Sequence, residues 1–292
     1  MAVAFASVST ATANETSNNS TTLTLTKPTG LAAGDLMIAV LTYSDGTESQ
    51  FYALTGWTAV IGTDDGDLVT TVLCRVADAG DAAASDFTFT KTAGDEVVNL
   101  CGALFRITGA GFTGSANITA QDKGTSSDAS AIYTGGITPT ADSLLMFIAT
   151  SGAVSTTASG YAIATSNPTW TERVEITSTD STPDNNLVIA TASRPEATAT
   201  GDFSLTWAAD PGESVGHLLS IQETTNVTTS PAVISVVASV QAPTVTGGAT
   251  VTVSAAISIT AAVQAPTVVT AASEVTNTSR SSAPTWVNTS KS

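Results

Sequence analysis

The stretch GDLMIAVLT, residues 34–42, decides the fold, because the chain writes it again as DSLLMFIAT at residues 142–150. Each is a continuous apolar run of strand length, the pattern of a strand covered on both faces. Three further pairs follow in the same order. GWTAV (56–60) lies over TWTERV (169–174), VLCRVADAGDAAASDFTFT (72–90) over VIATASRPEATATGDFSLT (188–206), and GALFRI (102–107) over GHLLSI (216–221). The offsets are 108, 113, 116 and 114, so the drift amounts to a few residues that fall in loops. A repeat of this kind precedes every other reading of a sequence. It makes residues 1–112 and 113–224 two copies of one module, with 225–292 as an extension.

Each copy reads as strands. TTLTLTKP (21–28) alternates leucine with threonine and stops at Lys-Pro, as a strand edge does. DFTFT and DFSLT alternate at period two. SDGTES, GTDDGDL and STPDNN carry turn chemistry, and ADAGDAAAS has room for one helical turn. Short strands without intervening helices predict an all-β chain: two tandem β-sandwich or jelly-roll-like modules and an extended β-rich C-terminal arm.

Composition agrees. The chain of 292 residues is 42% apolar, 5% aromatic and 12% charged, with Ser, Thr, Ala and Val filling the difference. That mixture opposes long helices and suits pleated sheets. Nine basic residues against 25 acidic ones give a net charge of −16. No basic cluster exists, which argues against a nucleic-acid surface. No run reaches the length that spans a membrane. The opening MAVAFASVSTATANE lacks Lys and Arg and makes a poor secretory signal. The expectation is synthesis in a cytoplasm without a signal peptide.

The last segment differs. VQAPTV stands at 240–245 and again at 263–268, and SAPTWV (282–287) is a degraded third copy. Between the first two, Val251, Val253, Ala255, Ile257, Ile259, Ala261 and Val263 occupy every odd position, with mostly Ser and Thr on the even ones. A strand of that length has an edge that would recruit other chains, so either it folds back on itself or it pairs with a neighbouring subunit. Proline removes a ladder donor, so each Ala-Pro-Thr should end the pairing or mark an edge. The residues assigned to assembly are therefore Val240, Pro243, Val245, Val251, Val253, Ile257, Ile259, Val263, Pro266 and Val268.

Lys27, Pro28, Gly30, Gly34, Asp35 and Leu36, followed by Gly56, Trp57, Thr58 and an Ala-rich connection, resemble a module of bacteriophage structural proteins and some bacterial surface proteins. The second copy is looser: Thr169, Trp170 and Thr171 keep the tryptophan strand, while Ala141, Asp142 and Ser143 replace Ala-Gly-Asp. Leu54 stands where the module usually has proline. The VQAPTV tail is similar to repeats at the ends of capsid- and tail-associated proteins. The resemblance implies a virion structural protein, of head decoration or head fibre type, on the virion surface. Its partners would be major capsid or tail proteins and further copies of itself, as a homo-oligomer such as a trimer. The alternative is a tail fibre or a tail-associated adhesin that binds a host surface glycan.

No catalytic, cofactor or metal site is assigned. His217 is the only histidine and falls where the first copy has Ala103, in a core-like strand; a catalytic triad or a metal site would need it. Asp64, Asp65 and Asp67 lack the closing Glu and the helices of an EF-hand and read as an acidic hairpin turn. Calcium at loops between strands stays open. Cys74 and Cys101 lie in apolar runs and read as small buried hydrophobes. Trp57 and Trp170, at equivalent positions, should share a packing role. Trp207 and Trp286 are less constrained. GAGFTG (109–114) lacks the Lys-Ser/Thr of a phosphate loop.

Overall fold

A computed structural model describes residues 3–13, 22–44, 51–65, 68–91, 98–152, 157–178 and 185–223. The chain divides into two units, residues 1–231 and 232–292. All ten residues assigned to assembly lie outside the described residues.

The fold is all-β, as expected. Described residues of the first half form β1 (Ala4–Ala13), β2 (Thr22–Thr26), β3 (Leu36–Ser44), β4 (Tyr52–Ala53), β5 (Thr58–Asp64), β6 (Leu68–Val76), β7 (Asp86–Lys91) and β8 (Val98–Thr108). The second half forms β9 (Ile118–Ser126), β10 (Ser130–Tyr133), β11 (Ser143–Ser151), β12 (Ala158–Ile163), β13 (Thr171–Ser178), β14 (Asn185–Arg194), β15 (Phe203–Trp207) and β16 (Ser214–Ile221). The Ala-rich connection makes one helical turn, α1 (Ala79–Ala83), closed by a capping box between Asp78 and Asp81. Arg75 reaches both carboxylates, at 2.7 Å and 2.8 Å.

The sheets repeat the sequence duplication strand for strand. In the first half the five-stranded sheet has the order β1-β8-β3-β6-β5 and the three-stranded sheet β2-β7-β4. In the second half the orders are β9-β16-β11-β14-β13 and β10-β15-β12. Counting from the start of each half, the orders are the same. Strands one, eight, three and six beside two, seven and four is jelly-roll order, with the fifth strand added to the larger sheet. Even a β-bulge is repeated. The register of β5 on β6 slips between Ala59 and Ile61, and that of β13 on β14 between Glu172 and Val174.

The sequence match lays Val72 over Val188, yet Val72 pairs with Val40, and the residue paired with Ile148, the equivalent of Val40, is Ile189. The alignment of these two strands is one residue out. In a strand, one residue inverts the faces, so Val188 looks into its own half where Val72 looks across to the other.

The larger sheet of each half is buried on both faces, which explains the unbroken apolar runs. On one face, Met37, Ala39 and Leu41 pack with Leu23, Leu25, Phe87 and Phe89 of the small sheet. In the second half Leu145, Phe147 and Ala149 do the same with Tyr133, Phe203 and Leu205. On the other face, Leu36, Ile38 and Val40 meet Leu144, Met146 and Ile148 in one continuous core. The halves are therefore not free-standing sandwiches. They are stacked back to back as four layers, with β1 against β13 and β5 against β9, an internal two-fold arrangement.

Residues of the Lys27–Leu36 motif hold loops down. Asp35 accepts from the Ala32 amide at 2.8 Å and from Arg106 at 2.7 Å. Gly30, at φ 74°, lies under the same guanidinium, which leaves no space for a Cβ.

Candidate functional site

The seam between the halves carries two polar features. At one end it is tied by a buried knot. The Asn185 side-chain amide donates to the carbonyl of Thr42 and to that of Asn99, both at 2.9 Å. The Cys101 thiol donates to the Asn185 carbonyl at 3.3 Å, and the Ser178 hydroxyl to Asn99 Oδ1 at 3.1 Å. All of these residues are buried. Asn99 sits in the bulge where the register of β8 on β3 slips, at φ 58°. Asparagine tolerates that left-handed conformation, and the bulge re-aims its carbonyl toward the other half. STPDNN reads locally as a turn, and that reading misses Asn185, which is buried and bonded across the seam.

Along the seam, where β1 meets β13, lies a cleft of about 600 Å³ lined by Phe5 from the first half and by Arg173, Thr191, Arg194 and Glu196 from the second. Arg173 Nε donates to Thr191 Oγ1 at 2.8 Å, and its Cζ stands 4.2 Å from the Phe5 ring centroid. Desolvation lowers the pKa of this guanidinium below its usual value. Arg194 is only 1% exposed. Its terminal nitrogens donate to the carbonyls of Thr165, Ser166 and Thr198, but its buried Nε has no partner. Nothing in the sequence marks this cleft, since the two arginines stand in different segments and Phe5 more than 160 residues earlier.

The other candidates are packing residues. His217 is fully buried in β16, opposite Ile148. Cys74 and Cys101 are free, buried thiols, pushed by burial up to about 11 and about 12. Asp64 ends β5, and the Asp65 amide donates to the Leu68 carbonyl at 3.0 Å in the turn before β6; Asp67 lies outside the described residues. Among the described residues no cluster of His, Cys, Asp and Glu could hold a metal ion, and no helix is long and apolar enough to cross a membrane. Trp57 packs edge-on against Phe87 and Phe89, and Trp170 against Phe147. Their partly buried packing is shared, as their equivalent positions predict. Trp207 is buried, and Trp286 lies outside the described residues.

No known protein family, curated protein or solved structure matches the chain.

Proposed function

We propose that the protein is a non-enzymatic structural component of a bacteriophage virion, of head decoration or head fibre type. The observation that carries this reading is the seam. Each half buries a whole five-stranded apolar face against its twin, so association by sheet faces is already the way this chain is built. The C-terminal segment supplies the second contact: a period-two apolar pattern bracketed by VQAPTV, suited to pairing along neighbouring subunits. Its job is attachment to capsid or tail proteins and to sister copies, without a chemical step. A tail-fibre location would use the same chemistry.

Deletion of residues 225–292 tests the assignment of the arm. The shortened chain should stay folded and fail to join particles when phage matures in its presence. Its incorporation at the normal level would remove the arm from the account.

A further inference from the structure

The duplication supplies an internal control for the cleft beside Phe5. Arg173 occupies the bulge of β13; the same bulge of β5 holds Val60, which packs on the shared core. Thr191 pairs with Met146 as Cys74 pairs with Ile38. Arg194 pairs with Ser143 where the first half has Ala77 bonded to Asp35. Three apolar positions of one half are thus polar in the other, two of them cationic, and all three line one cleft. Arg194 ties down the carbonyls of Thr165, Ser166 and Thr198, but the bulge does not require Arg173, because the first half forms the same bulge with Val60.

The charges are also poorly matched within the protein. Arg173 makes one hydrogen bond, from Nε, and a ring contact; among the described residues its terminal nitrogens bond none and no carboxylate is paired with it. Holding a partly desolvated guanidinium without a counter-ion is costly. Glu196, 3.8 Å from Arg194 on the same wall, offsets one of the two cations. The wall keeps a net single positive charge in a chain of net −16, which suits a monoanion better than a phosphate. Around it stand the hydroxyls of Ser166, Thr169, Thr171 and Ser193.

We infer that this cleft binds a sugar bearing a carboxylate. The carboxylate sits on the open edge of Arg173, in the two-pronged geometry that guanidinium offers, and the ring hydroxyls exchange hydrogen bonds with the Ser and Thr side chains. The volume is in the range of small-ligand sites. The inference gives chemical content to the glycan-binding alternative and does not depend on the assembly reading, so failure here leaves the arm experiment untouched.

The test is NMR titration of the full chain with methyl glucuronide, methyl galacturonide and N-acetylneuraminate, with methyl glucoside and acetate as controls. At least one acid sugar should shift the Arg173 Nε resonance and bind about tenfold or more tighter than either control. R173V, which installs the residue of the equivalent position, should bring its binding down to the glucoside level, while R173K keeps part of it. Glu196→Gln, on an exposed side chain, should tighten binding by removing the competing charge and serves if R173V does not fold. Silence of all three acid sugars overturns the inference. So does acetate binding as tightly as the sugars, binding that survives R173V unchanged, or binding that E196Q leaves unchanged.

Discussion

The side-chain amide of Asn185 lies 2.9 Å from the main-chain oxygen of Thr42, 143 residues away in the other half of the molecule. The contact is buried, and the same amide also serves Asn99. Removing it takes a buried hydrogen bond from each of two carbonyls, worth about 0.5–1.5 kcal/mol apiece. Asn185→Ala should therefore destabilise by about 1–3 kcal/mol in urea unfolding. A loss below about 0.5 kcal/mol, the level of an ordinary surface change, would show that water replaces the bonds and that the knot holds nothing.

A shared core predicts shared unfolding. Trp57 reports on the first half, and Trp170 with Trp207 on the second. Single-tryptophan variants should melt at one common midpoint, because either half alone would leave Ile38, Val40, Met146 or Ile148 facing water. Phe105→Ala, in the seam, should lower both midpoints together, with a cost of about 3–5 kcal/mol. Two separate transitions would mean that the stacked faces contribute little.

Gly216 gives a sharper test of the inner packing. A Cβ there would stand 2.5 Å from the Tyr133 ring, and one on Gly124, its partner across β16 and β9, 2.6 Å from Tyr133 Cβ. A Cβ on Gly102, the equivalent of Gly216, would likewise collide with the Leu23 side chain. Gly216→Ala should cost about 1–3 kcal/mol by overpacking. In a Tyr133→Leu background the cost should shrink, since the smaller side chain frees the space. An equal cost in both backgrounds would place the strain in the backbone instead.

Much of this fold was legible in the sequence because strand burial writes itself locally. LMIAVL and LLMFIA announce strands covered on both sides, and the alternation of DFTFT and DFSLT announces one-sided ones. The partner of the second face was not legible. Ile38 and Met37 are equally apolar, yet one meets the other half and the other its own small sheet. The slip in placing Val72 over Val188 has the same origin: in Ala- and Thr-rich strands either face tolerates either register, and only the pairing with β3 and β11 fixes it. The cleft was hidden for a related reason. Arg173 in TWTERV looks like a solvated charge until β1 of the first half brings Phe5 over it.

The two thiols make a prediction about alkaline pH whose sign can be worked out. Burial raises Cys74 from its ordinary 9.0 to about 11 and Cys101 to about 12, because a thiolate would be stranded in the apolar seam. In the unfolded chain both ionise near 9. The folded state then holds more protons than the unfolded one, and stability must fall as pH rises. The contribution is complete below pH 9 and is lost between 9 and the folded values, at up to about 1.4 kcal/mol per pH unit for each thiol. Tyr133, pushed up to about 12 chiefly by burial, adds to the loss only above its ordinary 10.0, so the window from 9 to 10 belongs mainly to the cysteines. Urea unfolding across that window should show a falling stability in the natural chain and a flatter profile in the Cys74→Ala, Cys101→Ala double variant. The comparison uses slopes, so any cavity left by the substitutions cancels. Equal slopes would mean that the thiols ionise as freely in the folded protein as in the unfolded chain, and the dry seam between the halves would have to be given up.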